Sequence, residues 1–104
     1  MPPMIARMWR GWARPDQAGA YETHYRTEVL QSLQGVDGFV GARLLRRTVG
    51  DEVELVSLTF FDDLAAVRRF AGPGYETAVV ADAARRVLTR FDETVTHHEV
   101  PFAL

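Results

Sequence analysis

Cysteine is absent from the 104 residues, which excludes disulfides, thiolate metal sites and cysteine nucleophiles. Lysine is absent as well, so the 12 basic side chains are all arginines, and 14 acids leave a net charge of −2. A nucleic-acid binder carries a strongly basic balance, so no nucleic-acid partner is expected. With its many alanines, the arginine bias reads as the imprint of a GC-rich genome. Nothing in the chain approaches the run of about 18 apolar residues that crosses a bilayer. The opening stretch meets Arg7 after three apolar residues, too few for the apolar region of a secretory signal. A soluble cytoplasmic protein without a membrane partner is the expectation.

The composition that remains, 47% hydrophobic and 25% charged, is that of one ordinary globular domain spanning residues 1–104. No repeat, linker or second domain stands out. A chain this short buries about 65% of its unfolded surface, so a partner subunit would add substantially to its stability.

Met4 to Ala13 reads as a strand with Met4, Ala6 and Met8 on one face and Ile5, Arg7 and Trp9 on the other, both largely apolar. Pro15 and Asp16 open a helix, with Asp16 as N-cap, on which Ala18, Tyr21, Tyr25, Val29 and Leu33 form one stripe. Gly35 and Gly38 end it. Phe39 to Thr48 and Glu52 to Phe61 form a hairpin around Gly50-Asp51. Asp62 is expected to cap the next helix, in which Leu64, Val67 and Phe70 or Ala71 face inward before Gly72-Pro73 stops it. A further helical stretch carries Val80, Ala84, Val87, Leu88 and Phe91 and leads to a last strand, Thr94 to Val100.

This order predicts an α+β fold, a ferredoxin-like four-stranded antiparallel sheet with helices on one face. Val56, Leu58 and Phe60 on the other face need cover. A second copy supplies it, giving a homodimer in which two sheets meet.

The opening strand with Trp9, the segment LTFFDDLAAVRRFAG and the closing THHEV resemble the antibiotic biosynthesis monooxygenase domain of the dimeric α+β barrel superfamily. The resemblance implies a cleft between sheet and helices where a hydrophobic aromatic substrate reacts. Some members oxidise polyketide anthrones with molecular oxygen and no cofactor, others degrade haem, and looser relatives cyclise polyketides. Phe61 stands where haem-degrading members carry a tryptophan. Those members also use an asparagine on the first strand and a histidine after the second helix. The chain has no asparagine, and ETAVVADAA after that helix has no histidine, so haem degradation is not expected and no cofactor is implied. Trp9, Tyr75 and several arginines match the cleft residues of the polyketide oxygenases, and Tyr75 stands near the place of a histidine in the cyclising relatives.

Cofactor-free oxygenation needs a base, polar groups to hold an anion, and an apolar pocket. Histidines are the natural bases near neutral pH. His97 and His98 are adjacent on a strand and point to opposite faces, so they cannot share a pocket or a metal. His97 with Glu99 is too small a set for a metal site, and none is expected. For His97 the alternative to catalysis is cross-strand packing with a hydrogen bond, and for His24, off the apolar stripe, it is solvent exposure. Tyr21 and Tyr25 either line the cleft or pack as core aromatics. Ser57 and Thr59 share a face with Phe61 and are assigned to the cleft floor, although a buried hydroxyl is often satisfied by backbone. Trp9 is a wall or a core residue. Arg7 either holds an anionic substrate or pairs with a glutamate such as Glu54. Gly35, Gly38 and Gly41 precede a strand and form no dinucleotide loop. Arg43, Arg46, Arg47, Arg85, Arg86 and Arg90 form either a basic patch or a solvated face balanced by the acids.

The expectation is therefore a monooxygenase-like enzyme that needs no cofactor and acts on a hydrophobic aromatic or polyketide intermediate. His97 or Tyr75 serves as proton acceptor, and Phe61, Trp9 and Tyr25 serve as walls. A cyclase or isomerase using the same cleft, and a non-catalytic ligand-binding or structural dimer, are the alternatives.

Overall fold

Strand β1 (Met4–Ala13) opens the described chain, residues 4–104 of a computed structural model. It is apolar on both faces, and such a strand belongs inside a sheet. There it pairs antiparallel with β3 (Glu52–Phe61) along one edge. Its other edge is shared by two short strands, β5 (Thr96–Val100) against Met4–Met8 and β4 (Arg90–Phe91) against Gly11–Trp12. β2 (Phe39–Val49) completes the order β2-β3-β1-β4, and every pairing is antiparallel. This is the ferredoxin-like α+β sheet expected, with one edge strand broken in two.

The break has a local cause. Residues 93–95 turn aside to pair with residues 76–78: Ala78 N–H donates to the Glu93 carbonyl and Val95 N–H to the Glu76 carbonyl, both at 2.8 Å. Phe91, expected on a helix, is consequently in β4, and the final strand starts at Thr96 instead of Thr94. The helix before it is confined to α4 (Asp82–Val87), with Val80 ahead of it and Leu88 at its C-cap.

After β1 the chain forms α1 (Pro15–His24), widens through a π-helical turn at Tyr25–Val29 and ends as α2 (Leu30–Gln34). Pro15 occupies the start of the helix, where a missing N–H is harmless. The N-cap is Arg14, without a side-chain cap, so Asp16 is not the cap expected. It lies in the first turn, where its charge suits the positive end of the helix dipole. Asp62 is likewise not the cap of α3 (Leu64–Ala71). Asp63 is, its Oδ1 accepting from Ala66 N–H at 2.9 Å. Asp62 instead donates its backbone N–H to the Gly38 carbonyl at 2.8 Å. Gly38 has φ of 91°, and a Cβ there would stand 2.6 Å from that of Ala66, so any larger residue would push α3 off the sheet.

The helices cover one sheet face. Ala13, Ala18, Tyr21, Tyr25, Val53, Leu55 and Ala84 form one buried cluster there, and Leu33, Phe61, Ala66 and Val67 form another. On the opposite face Met8, Val56, Leu58 and Phe60 are half-buried and Leu45 is 47% exposed. Trp12 on that face is closed over by the guanidinium groups of Arg10 and Arg90, 5.2 and 3.9 Å from its ring. Several of the arginines that could have formed a basic patch are instead tied up in ion pairs, Arg46 on Glu22, Arg47 on Glu54 and Arg90 on Glu52. Their arginine ends are exposed, so water and salt screen these pairs and they add little to stability. No helix among the described residues is long and apolar enough to cross a membrane.

The two adjacent aspartates give a direct check. Asp63→Ala should lower the unfolding free energy by about 1 kcal/mol, and Asp62→Ala should change it by less than about 0.5 kcal/mol. Urea unfolding of both variants measures this, and the reverse ranking would contradict the cap.

Candidate functional site

Along the helix-facing side of β3 the residues run Val53, Leu55, Ser57, Thr59, Phe61, apolar at both ends and polar in the middle. Their cross-strand partners on β1 run Ala13, Gly11, Trp9, Arg7, Ile5. The apolar ends are filled by the two core clusters. Over the polar middle the helices leave a cavity of about 370 Å³, within the size range of small-molecule sites.

The cavity walls are mostly apolar: Trp9, Tyr21, Val80 and Ala84 toward one cluster, Leu33 and Phe70 toward the other. Trp9 is held on three sides. Its Nε1 donates to the Asp92 carbonyl at 2.8 Å, its ring stacks on Tyr21 with centroids 6.0 Å apart, and a Cβ on Gly11 would stand 2.7 Å from it. Gly11 thus gives the indole the room it occupies. Arg7, Ser57 and Thr59 reach the cavity from the sheet, and His24, Glu28 and Ser32 from the helical side. The π-helical turn that begins at Tyr25 lies in this wall, and such turns recur at functional sites.

Arg7 is the unusual residue. It is 6% exposed, yet no carboxylate among the described residues pairs with it. Glu54 is on the other sheet face and pairs with Arg47, Nε to Oε1 at 2.9 Å, so the Arg7–Glu54 alternative does not form. Arg7 Nη1 donates instead to the Tyr75 carbonyl and to His97 Nε2, the latter at 3.1 Å. Burial lowers the guanidinium pKa, but an arginine keeps its proton in any protein.

His97 stands opposite Arg7 in the β1–β5 register, on the helix-facing side, and His98 is on the other side, exposed and bonded to Thr96. A guanidinium can only donate, so His97 Nε2 is the acceptor and its proton is on Nδ1. Desolvation, followed by the nearby charge of Arg7, lowers the His97 pKa. Its ring packs edge-on to Tyr75 at 5.3 Å. His97 and Tyr75 thus stand behind Arg7 and hold it, and neither lines the cavity.

The other residues anticipated for the cleft divide as follows. Trp9, Tyr21, Ser57, Thr59 and Arg7 are on its wall. Phe61 is not. It is wholly buried against Phe39 and Phe70, at 6.2 and 5.9 Å, because the β3 face dips beneath α3 at that point. Tyr25 is 5% exposed, and its hydroxyl is a buried polar atom with no hydrogen-bond partner. Burial raises the phenol pKa of both Tyr21 and Tyr25, so both remain protonated near neutral pH and neither is a base. For Tyr25 the nearby Ser57 hydroxyl offsets part of that rise.

His24 is the residue that pattern reading set aside. It is half-buried on the cavity wall, 5.9 Å from the Tyr21 ring. Its signal was its place three residues after Tyr21, on the flank of the apolar stripe, where a helix beside a cavity shows its edge. Among the described residues no three or more His, Cys, Asp or Glu side chains are grouped to hold a metal ion.

Comparison with known proteins bears on this arrangement. The family model described as antibiotic biosynthesis monooxygenase matches residues 4–82. No curated protein matches the sequence. Among solved structures, a mutant form of SnoaB, a cofactor-independent oxygenase from Streptomyces nogalater, is 23% identical with a TM-score of 0.67 and covers 98% of this chain and 97% of its own. A putative antibiotic biosynthesis monooxygenase from Bacillus cereus is 12% identical with a TM-score of 0.64 and the same two coverages. A heme-degrading protein from Mycobacterium tuberculosis is 16% identical with a TM-score of 0.61, covering 100% and 98%. At these identities the likeness is one of fold.

The state of His97 predicts a pH effect. Its folded pKa is below the ordinary 6.5, so between the two values the unfolded chain binds more protons than the folded one. Stability therefore rises with pH across that window, and the contribution is lost as pH falls below 6.5 toward the folded value. His97→Gln should flatten this part of the profile when unfolding is followed from neutral to mildly acidic pH. An unchanged slope would show that His97 does not carry it.

Proposed function

The chain belongs to the antibiotic biosynthesis monooxygenase family, and we propose that it is a cofactor-independent oxygenase acting on a hydrophobic aromatic intermediate of the polyketide kind. The observation that carries this reading is the cavity itself. Its walls are apolar and aromatic, with a cation and neutral hydroxyls on the sheet side and the imidazole of His24 across from them.

The chemistry asks for no more than that. A methylene between aromatic rings, activated by loss of a proton, gives up two hydrogens and gains one oxygen atom as a ketone. The second atom of molecular oxygen leaves as water, so the substrate supplies all the electrons. Apolar walls raise the energy of the carbanion and favour its oxidation, while Ser57 and Thr59 hold the developing oxyanion in the field of the Arg7 charge.

His24 takes the role of proton acceptor because its imidazole is on the wall. His97 and Tyr75, first in line from the sequence, act here through Arg7: the acceptor nitrogen of His97 is occupied by Nη1, and Tyr75 gives its carbonyl. They are positioning residues in this reading. A second copy of the chain covers the open sheet face, which the half-buried Val56, Leu58 and Phe60 beside the exposed Leu45 support.

Oxygen uptake tests the proposal. With an anthrone-type phenol and no added metal or flavin, the protein should consume oxygen, and His24→Gln should lower kcat by roughly 10²–10⁴-fold with little change in affinity. Product without uptake would indicate a cyclase, and neither would leave a binding module. A shift of the haem spectrum on titration, with release of iron under reducing conditions, would favour haem degradation instead. For assembly, light scattering should give the mass of two chains, and Leu58→Asp should give that of one. A single-chain mass for the unmodified protein would end the dimer reading.

A further inference from the structure

The sheet side of the cavity is a strip of polar side chains, Arg7, Thr59 and Ser57, with no carboxylate among them. Both hydrogen bonds of Arg7 leave from Nη1, so Nε and Nη2 donate to nothing among the described residues. Neither nitrogen is sealed in: the closed-off polar atom lacking a partner is the Tyr25 hydroxyl. Thr59 is the cross-strand partner of Arg7 and Ser57 that of Trp9, and both line the same cavity. A guanidinium this buried without an anion is costly to maintain, and this one lies on the cavity wall.

We propose that the ligand of this cavity is a planar aromatic carboxylate, seated side-on across Nε and Nη2 of Arg7 with its rings against Trp9 and Tyr21. The inference rests on the cavity being the substrate site and names the class of substrate. The edge formed by Nε and Nη2 presents two parallel N–H donors, which match the two oxygens of a carboxylate. A phenolate has one oxygen and leaves half of that edge empty. A phosphate brings further negative charge to a wall that already carries the carboxylate of Glu28. Ser57 is two residues along β3 from Thr59, about 7 Å, and its hydroxyl on the cavity wall offers a second hydrogen-bonding point. The ligand therefore carries a ketone or phenol oxygen on its rings about that far from the carboxylate.

Titration separates this inference from the reaction. The full chain is titrated by calorimetry with anthraquinone-2-carboxylate, the matching 2-carboxamide and the 2-hydroxy analogue, none of which needs turnover. The carboxylate should bind at least about tenfold more tightly than either. Arg7→Gln should abolish the preference, and Arg7→Lys should keep part of it as a point charge. Equal binding of the amide or the hydroxy compound by the unmodified protein overturns the proposal, whatever the variants do. So does a preference that survives in Arg7→Gln. A carboxylate preference without oxygen uptake would sink the oxygenase reading alone, and uptake without the preference would sink this one alone.

Discussion

A positive charge enclosed between sheet and helices, with no acid beside it, is the constraint around which this molecule is arranged. Arg7 is 6% exposed on the central strand and, among the described residues, meets a backbone carbonyl, a neutral imidazole and the ring of Phe70 but no carboxylate. Taking such a group out of water costs several kcal/mol after relaxation. Three segments share in holding it: β1 carries it, β5 brings His97 opposite it, and the loop after α3 supplies the Tyr75 carbonyl. The broken edge strand helps to make this possible, because residues 93–95 leave β1 to pair with residues 76–78, close to Tyr75 in the chain.

The rest of the core divides around that charge. Val53 and Leu55 close one end of the β3 face, and Phe61 with Leu33 and Val67 closes the other. Fully burying side chains of this size stabilises by about 1.5–3 kcal/mol each, enough for two small clusters to sustain a gap between them. Gly11 leaves space for Trp9, and the Asp92 carbonyl fixes the indole over it. The gap thus has fixed aromatic walls. On the far side of the sheet, Arg10 and Arg90 close over Trp12 while the apolar middle stays open.

Strand alternation alone was enough to put Arg7 on one face with Trp9 and Ser57 on one face with Thr59, because side chains on a strand repeat every two residues without drift. That these two faces are the same side of the sheet is set by the β1–β3 register, which alternation does not contain. Alternation also separated His97 from His98. What alternation does not encode is depth along the face. Phe61 shares its side with Ser57 yet is buried beneath α3, and only the packing of Phe39 and Phe70 decides that. His24 was misjudged for a related reason: a residue on the flank of a helical stripe meets water or a cavity depending on what lies opposite. Asp62 and Asp63 are equally good capping residues, and the hydrogen bond from Asp62 N–H to Gly38, a contact distant in sequence, selects between them. The ending of α4 at Val87 depends likewise on the pairing of Thr89 N–H with the Trp12 carbonyl.

If Arg7 is kept for a ligand and not for the fold, removing its charge should not harm the fold. Replacing an uncompensated buried ion with an apolar side chain of similar length is often neutral or stabilising, a trade that function commonly opposes. The deciding measurement is the urea-unfolding free energy of Arg7→Met against the unmodified chain. The account predicts a value equal or higher, and a loss of about 3 kcal/mol or more, the size seen when a structural ion partner is removed, would contradict it.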